Sequence, residues 1–528
     1  MSRPTHQFSQ TKTADIPRSS FDLSHGLKTT INGGQIYPIL SLECLPGDTI
    51  SCRASLFGRL ATPIKPLLDN LFLEEFYFFV PYRQVWTNWV KFMGEQEAPG
   101  DSIDFTIPQM GTGVVIEGGL GDYFGVPLGL DVDEVFVSAL PFRCYAEIYN
   151  FWFRDENLVD PMATSKDDGP ADGNNDVAIN ATPRRRRKRR DYLTSGLPWP
   201  QKGPAVNITL AGQAPVYVDG GVGTTVTVVA PDMAGPGQNL DTDGATLNLS
   251  ITNDGPLVGS GMYANLGAAA DFTINDLRES FQIQKLLERD ARGGTRYPEI
   301  LRSHYQVSDP GLLIHQRPIF LGGKSSRINV TPVEQNTQQF DNTNTEGVTP
   351  QGNLAAYGTI SSSGGGFTYS STEHGHIIGV VNLRADLTYQ QGLERYWSRQ
   401  TRYDFYFPVL SHLGEQAVLN KEIFVSNAIL TDNAVFSYMP RYDEYRFKQS
   451  QITGLFRSDA TASLDVWHLA QDFATLPVLN KAFIEDNPPI DRVVAVPAEP
   501  DLLLDVYFKI RAARPLPLYA TPGLIDHF

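Results

Sequence analysis

The chain has 528 residues, 41% of them apolar and 19% charged, enough for a large core and more than one domain and too apolar for a disordered chain. Its formal net charge of −16 excludes a uniformly basic nucleic-acid binder, so any polyanion contact has to gather its cations on one surface. Cys44, Cys52 and Cys144 make neither a disulfide framework nor a zinc spacing, which points to a reducing compartment. No apolar segment follows MSRPTHQFSQ, and no run approaches the roughly 18 residues of a membrane span. A soluble protein without a cleaved export signal is therefore expected. The 46 Gly, 36 Pro and 11% aromatics favour short strands joined by many turns.

Residues 1–35 are polar and aperiodic and read as an extended N-terminal arm, with strand signals beginning at Ile36. Ile50, Cys52, Ala54 and Leu56 alternate with Ser51, Arg53 and Ser55, giving a strand with one buried and one solvated face. The turn Pro46-Gly47 precedes it. Leu71–Val80 (LFLEEFYFFV) is apolar on both faces apart from Glu74 and Glu75, the pattern of a strand covered on both sides. Trp86, Trp89, Val90 and Met93 form a helical stripe closed by Gly94, and Tyr145, Ile148, Tyr149 and Trp152 form a second. Both are expected to pack rather than to bind a ligand. Residues 204–276 hold seven Asp and no Glu, Lys or Arg. Short alternating pieces between Gly and Pro turns suggest a β-rich insertion, ended by a helix that starts near Thr273 and stops at Gly293-Gly294. Residues 334–366 read as a long surface loop, with strands resuming at Ile377 and Tyr403 and a last one at Leu502–Ile510.

Catalytic motifs are weak. Leu321-Gly322-Gly323-Lys324-Ser325 ends like a phosphate loop, but Pro318 stands where its first Gly belongs, so a turn between strands is expected. Glu373-His374-Gly375-His376 lacks a third metal ligand nearby. No nucleophile elbow, HExxH or dinucleotide fingerprint is present. No catalytic, cofactor-binding or metal-binding residue is assigned, and no cofactor is expected.

The strongest local feature is a run of seven cations, Arg184, Arg185, Arg186, Arg187, Lys188, Arg189 and Arg190, followed by Asp191 and the aromatics Tyr192 and Trp199. Without these seven, the remaining chain would stand at −23 (−16 less 7). Such a run is often a solvated tail or a targeting signal. Being internal and flanked by aromatics, this one suggests contact with a nucleic-acid backbone, each neutralised phosphate adding about 0.7 to the salt slope for single strands. The other reading is a contact between subunits, with the cations bridging acidic neighbours. Tyr192 and Trp199 are candidate anchors at the junction with the insertion.

Several blocks together resemble the major capsid proteins of small single-stranded DNA phages, the Microviridae, in their gokushovirus branch. They include Arg18–Thr30 (RSSFDLSHGLKTT), Arg59–Gln96, Asp191–Gly203 (DYLTSGLPWPQKG), Glu373–Gly379 (EHGHIIG), Arg384–Arg399 (RADLTYQQGLERYWSR), Arg402–Gln416 (RYDFYFPVLSHLGEQ) and Thr521–His527 (TPGLIDH). The resemblance implies a mainly β protein, an eight-stranded antiparallel jelly roll of viral capsid type with long loop insertions and a few short helices. Residues 36–203 and 273–528 would form the shell domain, and 204–272 a protrusion at the threefold axis. The implied function is structural and non-enzymatic: self-assembly into a T=1 icosahedral shell around circular viral single-stranded DNA. The implied partners are further copies of the chain, an internal scaffolding protein, a DNA pilot protein and a host cell-surface receptor, with no membrane insertion. The implied location is the virion, assembled in the cytoplasm of a bacterial host. The alternative is a secreted β-sandwich that binds or hydrolyses polysaccharide.

Overall fold

The computed structural model describes residues 17–171, 173–206, 274–307, 316–336 and 352–519, with the short segments 216–218, 227–228, 238–239 and 262–264. By spatial clustering the chain divides into two units, Met1–Pro200 with Gly294–Phe528, and Gln201–Gly293. In the larger unit the strands are β1 (Ser19–Asp22), β2 (His25–Ile31), β3 (Ile36–Cys44), β4 (Thr49–Leu60) and β5 (Leu71–Pro81). The smaller unit contributes β6 (Val216–Val218), β7 (Thr227–Val228), β8 (Gln238–Asn239) and β9 (Met262–Ala264). The larger unit then resumes with β10 (Ile319–Arg327), β11 (Asn329–Glu334), β12 (Leu354–Ser370), β13 (Gly375–Ala385), β14 (Glu415–Leu419), β15 (Val435–Pro440) and β16 (Leu502–Arg514).

Two antiparallel sheets build the larger unit. One runs β16-β4-β12-β11, with β1 and β2 both paired to the free edge of β16; the other runs β10-β5-β13-β3. Leaving aside the edge strands β1 and β11, four strands face four, a jelly-roll arrangement. Counting every described strand, the sheets hold six and four rather than the expected eight in all. Inward residues of β4 and β16 (Ile50, Cys52, Val506, Phe508) meet inward residues of β5 and β13 (Tyr77, Phe79, Ile377, Val381) in one core between the sheets. Tyr77 reaches Phe367 of the opposite sheet at 5.3 Å between ring centroids.

The outer face of the four-stranded sheet is covered too. Phe78 and Val80 of β5, with Ile378 and Val380 of β13, pack beneath α1 (Tyr82–Val85), α2 (Trp89–Phe92), α3 (Leu120–Tyr123) and α4 (Leu140–Ile148) in a second core. This double burial is what the two-faced apolar run Leu71–Val80 required. The helical stripes pack only in part and do not form long helices: Trp86, Trp89, Tyr145, Ile148 and Tyr149 are buried, whereas Val90, Met93 and Trp152 are exposed. Trp86 is extended between α1 and α2, and α4 passes at Tyr149–Phe153 into a π-helical turn. Pinning this layer, Arg143 and Asp176 form an ion pair at 2.6 Å with side chains 0% and 2% exposed. Arg143 also donates to the carbonyls of Val85 and Asp167.

Three expectations are corrected. The stretch read as a loop to residue 366 contains most of β12, which sits between β4 and β11; its Ser and Gly residues are tolerated because both ladders satisfy its backbone. No strand begins at Tyr403, where Arg402–Asp404 is a 3-10 turn capped by Thr401. Strands also begin before Ile36, because the open edge of β16 offers donors and acceptors that β1 and β2 complete. The turn at Gly47 has the positive φ expected, 86°. In the smaller unit the helix runs Ile274–Gly293, while most of 204–272 and the start at Thr273 lie outside the described residues.

Candidate assembly and nucleic-acid surfaces

The seven-cation run is a strap threaded between two segments of the larger unit. On one side the Ile36 amide donates to the Arg184 carbonyl at 2.9 Å and the Arg186 amide to Gly34 at 2.8 Å. On the other, the Asp486 amide donates to the Arg186 carbonyl at 2.6 Å and the Lys188 amide to Ile484 at 2.7 Å. The side chains follow. Arg185 donates to Asn487 Oδ1 at 2.7 Å and to two carbonyls. Lys188 is buried over the Phe483 ring at 4.6 Å. Burial brings Lys188 down to about 8, with Asp486 and Asp191 opposing that shift.

Glu74 is where the run meets the sheet. It lies on the outer side of β5 and takes three guanidinium groups: Arg384 at 2.7 Å, Arg189 at 3.1 Å, and Arg186. Burial alone would raise its pKa; Arg186 and Arg384 outweigh that and hold it at about 2. Asp486 shows the opposite balance, burial pushing it up to about 6 despite Lys188 and Arg186. Arg184 through Lys188 are thus at least half-buried, and Arg189 and Arg190 alone in the run are exposed. Those two line a cleft of about 300 Å³ with Arg384, Tyr389, Phe447 and Lys448.

The two anchors differ. Tyr192 is buried, donates to Glu422 Oε2 at 2.8 Å and stacks on Phe447 at 6.4 Å and 7°. It belongs to a third core with Tyr389, Val418, Ile423 and Phe436. Trp199 is half-exposed. Nearby, Leu197 exchanges both backbone hydrogen bonds with Tyr438.

In the chain around this third core, a set of large apolar side chains that no sequence periodicity announced is exposed. Trp397 is 67% exposed and Leu430 88%, and Tyr396, Tyr403, Phe405, Tyr406, Val409 and Ile429 are exposed with them. Those between Tyr396 and Val409 stand on or between short 3-10 turns at Arg395–Ser398, Arg402–Asp404 and Pro408–His412, and Ile429 and Leu430 on the short helix Ile429–Asp432. Beneath, a buried ionic framework fixes those turns. Arg395 donates to Glu422 at 3.2 Å and to the Ala417 carbonyl, Gln416 donates to Glu444 at 2.6 Å, and Arg399 lies over Tyr445 at 4.4 Å. Exposed aromatics beside arginines, held rigid from below, are the composition of a protein–protein contact.

The remaining motifs serve structure. Leu321–Ser325 is not the turn expected but lies inside β10, its backbone paired with β5. His376 is buried, bonded to Ser41 Oγ at 2.7 Å and Tyr82 Oη at 3.2 Å, and burial brings it down to about 4. Among the described residues no group of three or more His, Cys, Asp or Glu is placed to hold a metal, and no helix is long and apolar enough to cross a membrane.

The chain matches the family described as Capsid protein (F protein) over residues 9–524. It is 42% identical to Capsid protein VP1 of Bdellovibrio phage phiMH2K, across 99% of this chain and 98% of that one. It is 39% identical to Capsid protein VP1 of Chlamydia phage 1, across 98% of both chains. Spiroplasma virus 4 Capsid protein VP1 matches at 35%, across 98% and 97%. A mainly β sandwich, an exposed aromatic and arginine surface, and full-length likeness to three phage shell proteins agree. The chain belongs to the phage capsid (F protein) family, in its gokushovirus-type Microviridae branch, and is a structural virion protein that assembles with copies of itself rather than an enzyme.

Proposed function

We propose that the chain forms a small T=1 icosahedral shell enclosing circular single-stranded DNA, with the surface around Trp397 and Leu430 as a principal contact between subunits. The observation that carries this is the exposed cluster of Tyr, Trp, Phe and Arg on a framework of buried ion pairs. A lone subunit would leave that apolar area in water, and closure of a shell covers it. Arg189 and Arg190 border the same surface, since the cleft they line shares Phe447 and Lys448 with the one lined by Tyr192, Arg395 and Tyr396. This favours the inter-subunit role for the exposed end of the cation run. Assembly in the bacterial cytoplasm, help from an internal scaffolding protein and a DNA pilot protein, and attachment to a host receptor through residues 204–272 complete the proposal.

The test is the double variant Trp397→Glu with Leu430→Glu. Its subunits should keep the wild-type unfolding midpoint, because both side chains lie in solvent, yet sediment as small species where the wild type gives shells. Normal shells by electron microscopy would remove this surface from the contact.

A further inference from the structure

The six-stranded sheet has one face against the core and the other in water. On that outer face β2, β4 and β16 present Lys28, Arg53, Arg59, Lys509 and Arg511, all exposed. Only Asp22 and Asp505 oppose them on β1, β2, β4, β12 and β16. The face therefore carries three net positive charges (five less two) on a chain whose total is −16. Arg53 stands directly opposite Lys509 in the ladder, a like-charge pair that destabilises a sheet unless an anion lies over it. Among the described residues Arg53 and Arg59 make no ion pair. Phe57 and Tyr507, 56% and 54% exposed, lie between the cation rows. A shallow trough of about 500 Å³ runs along Lys28, Phe57, Arg59 and Asp505.

We infer that this outer sheet face is the surface that holds single-stranded nucleic acid, its cations tracking the phosphate backbone and Phe57 and Tyr507 stacking unpaired bases without reading sequence. The inference rests on the reading of the chain as a shell around single-stranded DNA, and it names the face. Alternate residues of a strand are about 6.6 Å apart and neighbouring strands about 4.8 Å, so the cations form a flat lattice that an extended backbone can cross. A second copy of the chain is the poorer occupant. The face exposes Leu503 and Tyr357 as well as Phe57 and Tyr507, but its net positive charge and its like-charge pair call for an anion, which an apolar contact between copies does not supply. The cation run belongs to a different face. It pairs with Glu74 on the outer side of the four-stranded sheet, so it and the basic face lie on opposite sides of the sandwich.

The experiment combines Arg53→Gln, Arg59→Gln and Lys509→Gln in the full chain, with Arg189→Gln and Arg190→Gln as the comparison pair. Binding of an oligodeoxythymidylate to subunits is titrated against salt, and shells are assayed separately for size and for DNA content. The triple variant should lower the salt slope by about 0.7 per cation removed. Its shells should form and retain less DNA. In a separate variant, Tyr507→Ser should weaken binding roughly tenfold. The comparison pair should leave the slope unchanged. Normal DNA content and an unchanged slope in the triple variant overturn the inference while leaving the shell reading intact. Folded triple-variant subunits that no longer form shells also overturn it, because the face is then a contact between copies. A slope lost in the comparison pair instead moves the site to the other side of the sandwich.

Discussion

Glu74 and Glu75 are adjacent on β5, point to opposite faces and titrate in opposite directions. Glu75 faces the core between the sheets, where burial raises it although Tyr77 donates to it at 2.6 Å. Glu74 is held at about 2 because its guanidinium partners outweigh its burial. Glu74→Leu removes the shorter of the two ion pairs of Arg384, 3% exposed, and leaves that buried charge only Asp386 at 3.5 Å. It should cost about 3–5 kcal/mol in urea unfolding of subunits, against less than about 1 kcal/mol for Arg189→Gln, whose side chain is largely in solvent. Equal costs would show that the solvated arginine matters as much as the buried one. His376 gives a pH prediction. Its folded value of about 4 lies below an unfolded value of about 6.5, so its contribution is complete above the unfolded value and is lost as pH falls through the folded one. Subunits should lose up to about 3 kcal/mol at this site between those values. Asp486 works the other way, its raised value giving stability that is lost as pH rises through about 6. His376→Gln isolates the histidine: the acid slope should flatten by about one proton relative to wild type. An unchanged slope would assign the acid loss to other groups.

Among the elements, β12 shows how much of the fold the sequence carried. Strands with strict alternation were legible, because Ile50 to Leu56 and Leu502 to Ile510 show their buried face as every second residue. The strand β12 was not, because its inward positions include Gly358, Ser362 and Gly365, small residues that hide the period. They are small for a reason. A Cβ on Gly365 would stand 1.7 Å from Glu75 Oε1, and Gly366 takes φ 142° beside the Cys52 carbonyl at the register shift between Ser363 and Gly365. Gly365→Ala should therefore lower the unfolding midpoint by an amount corresponding to roughly 1–3 kcal/mol, the usual cost of overpacking. Ser361→Ala, on the exposed face of the same strand, should stay within about 0.5 kcal/mol. A neutral Gly365→Ala would mean the Glu75 carboxylate can move aside. The candidate sites follow the same logic. A contiguous run of cations is conspicuous in one dimension, whereas Arg53, Arg59 and Lys509 become one surface only when β4 and β16 pair. The aromatic surface was equally hidden, since its residues sit on irregular turns with no period to find.

At the scale of the whole molecule, the division into two units sets what can be removed. The described strands of Gln201–Gly293 pair only among themselves, β6 with β9 and β7 with β8, and none joins the two large sheets. Both sheets, the first two cores and the third core around Tyr192 draw on Met1–Pro200 and Gly294–Phe528 alone apart from that unit. The acidic composition of 204–276, seven Asp without a cation, would repel a phosphate backbone, so no loss of DNA binding is expected from removing it. Replacing residues 207–272 by a short Gly-Ser linker should leave subunits that unfold at the wild-type midpoint and still close into shells. By subtracting acidic residues, it should also leave DNA content unchanged. Shells that form but no longer adsorb to host cells would place attachment on the removed segment. Failure to recover folded subunits would show instead that this segment is needed to build the sandwich, against the pairing of the strands.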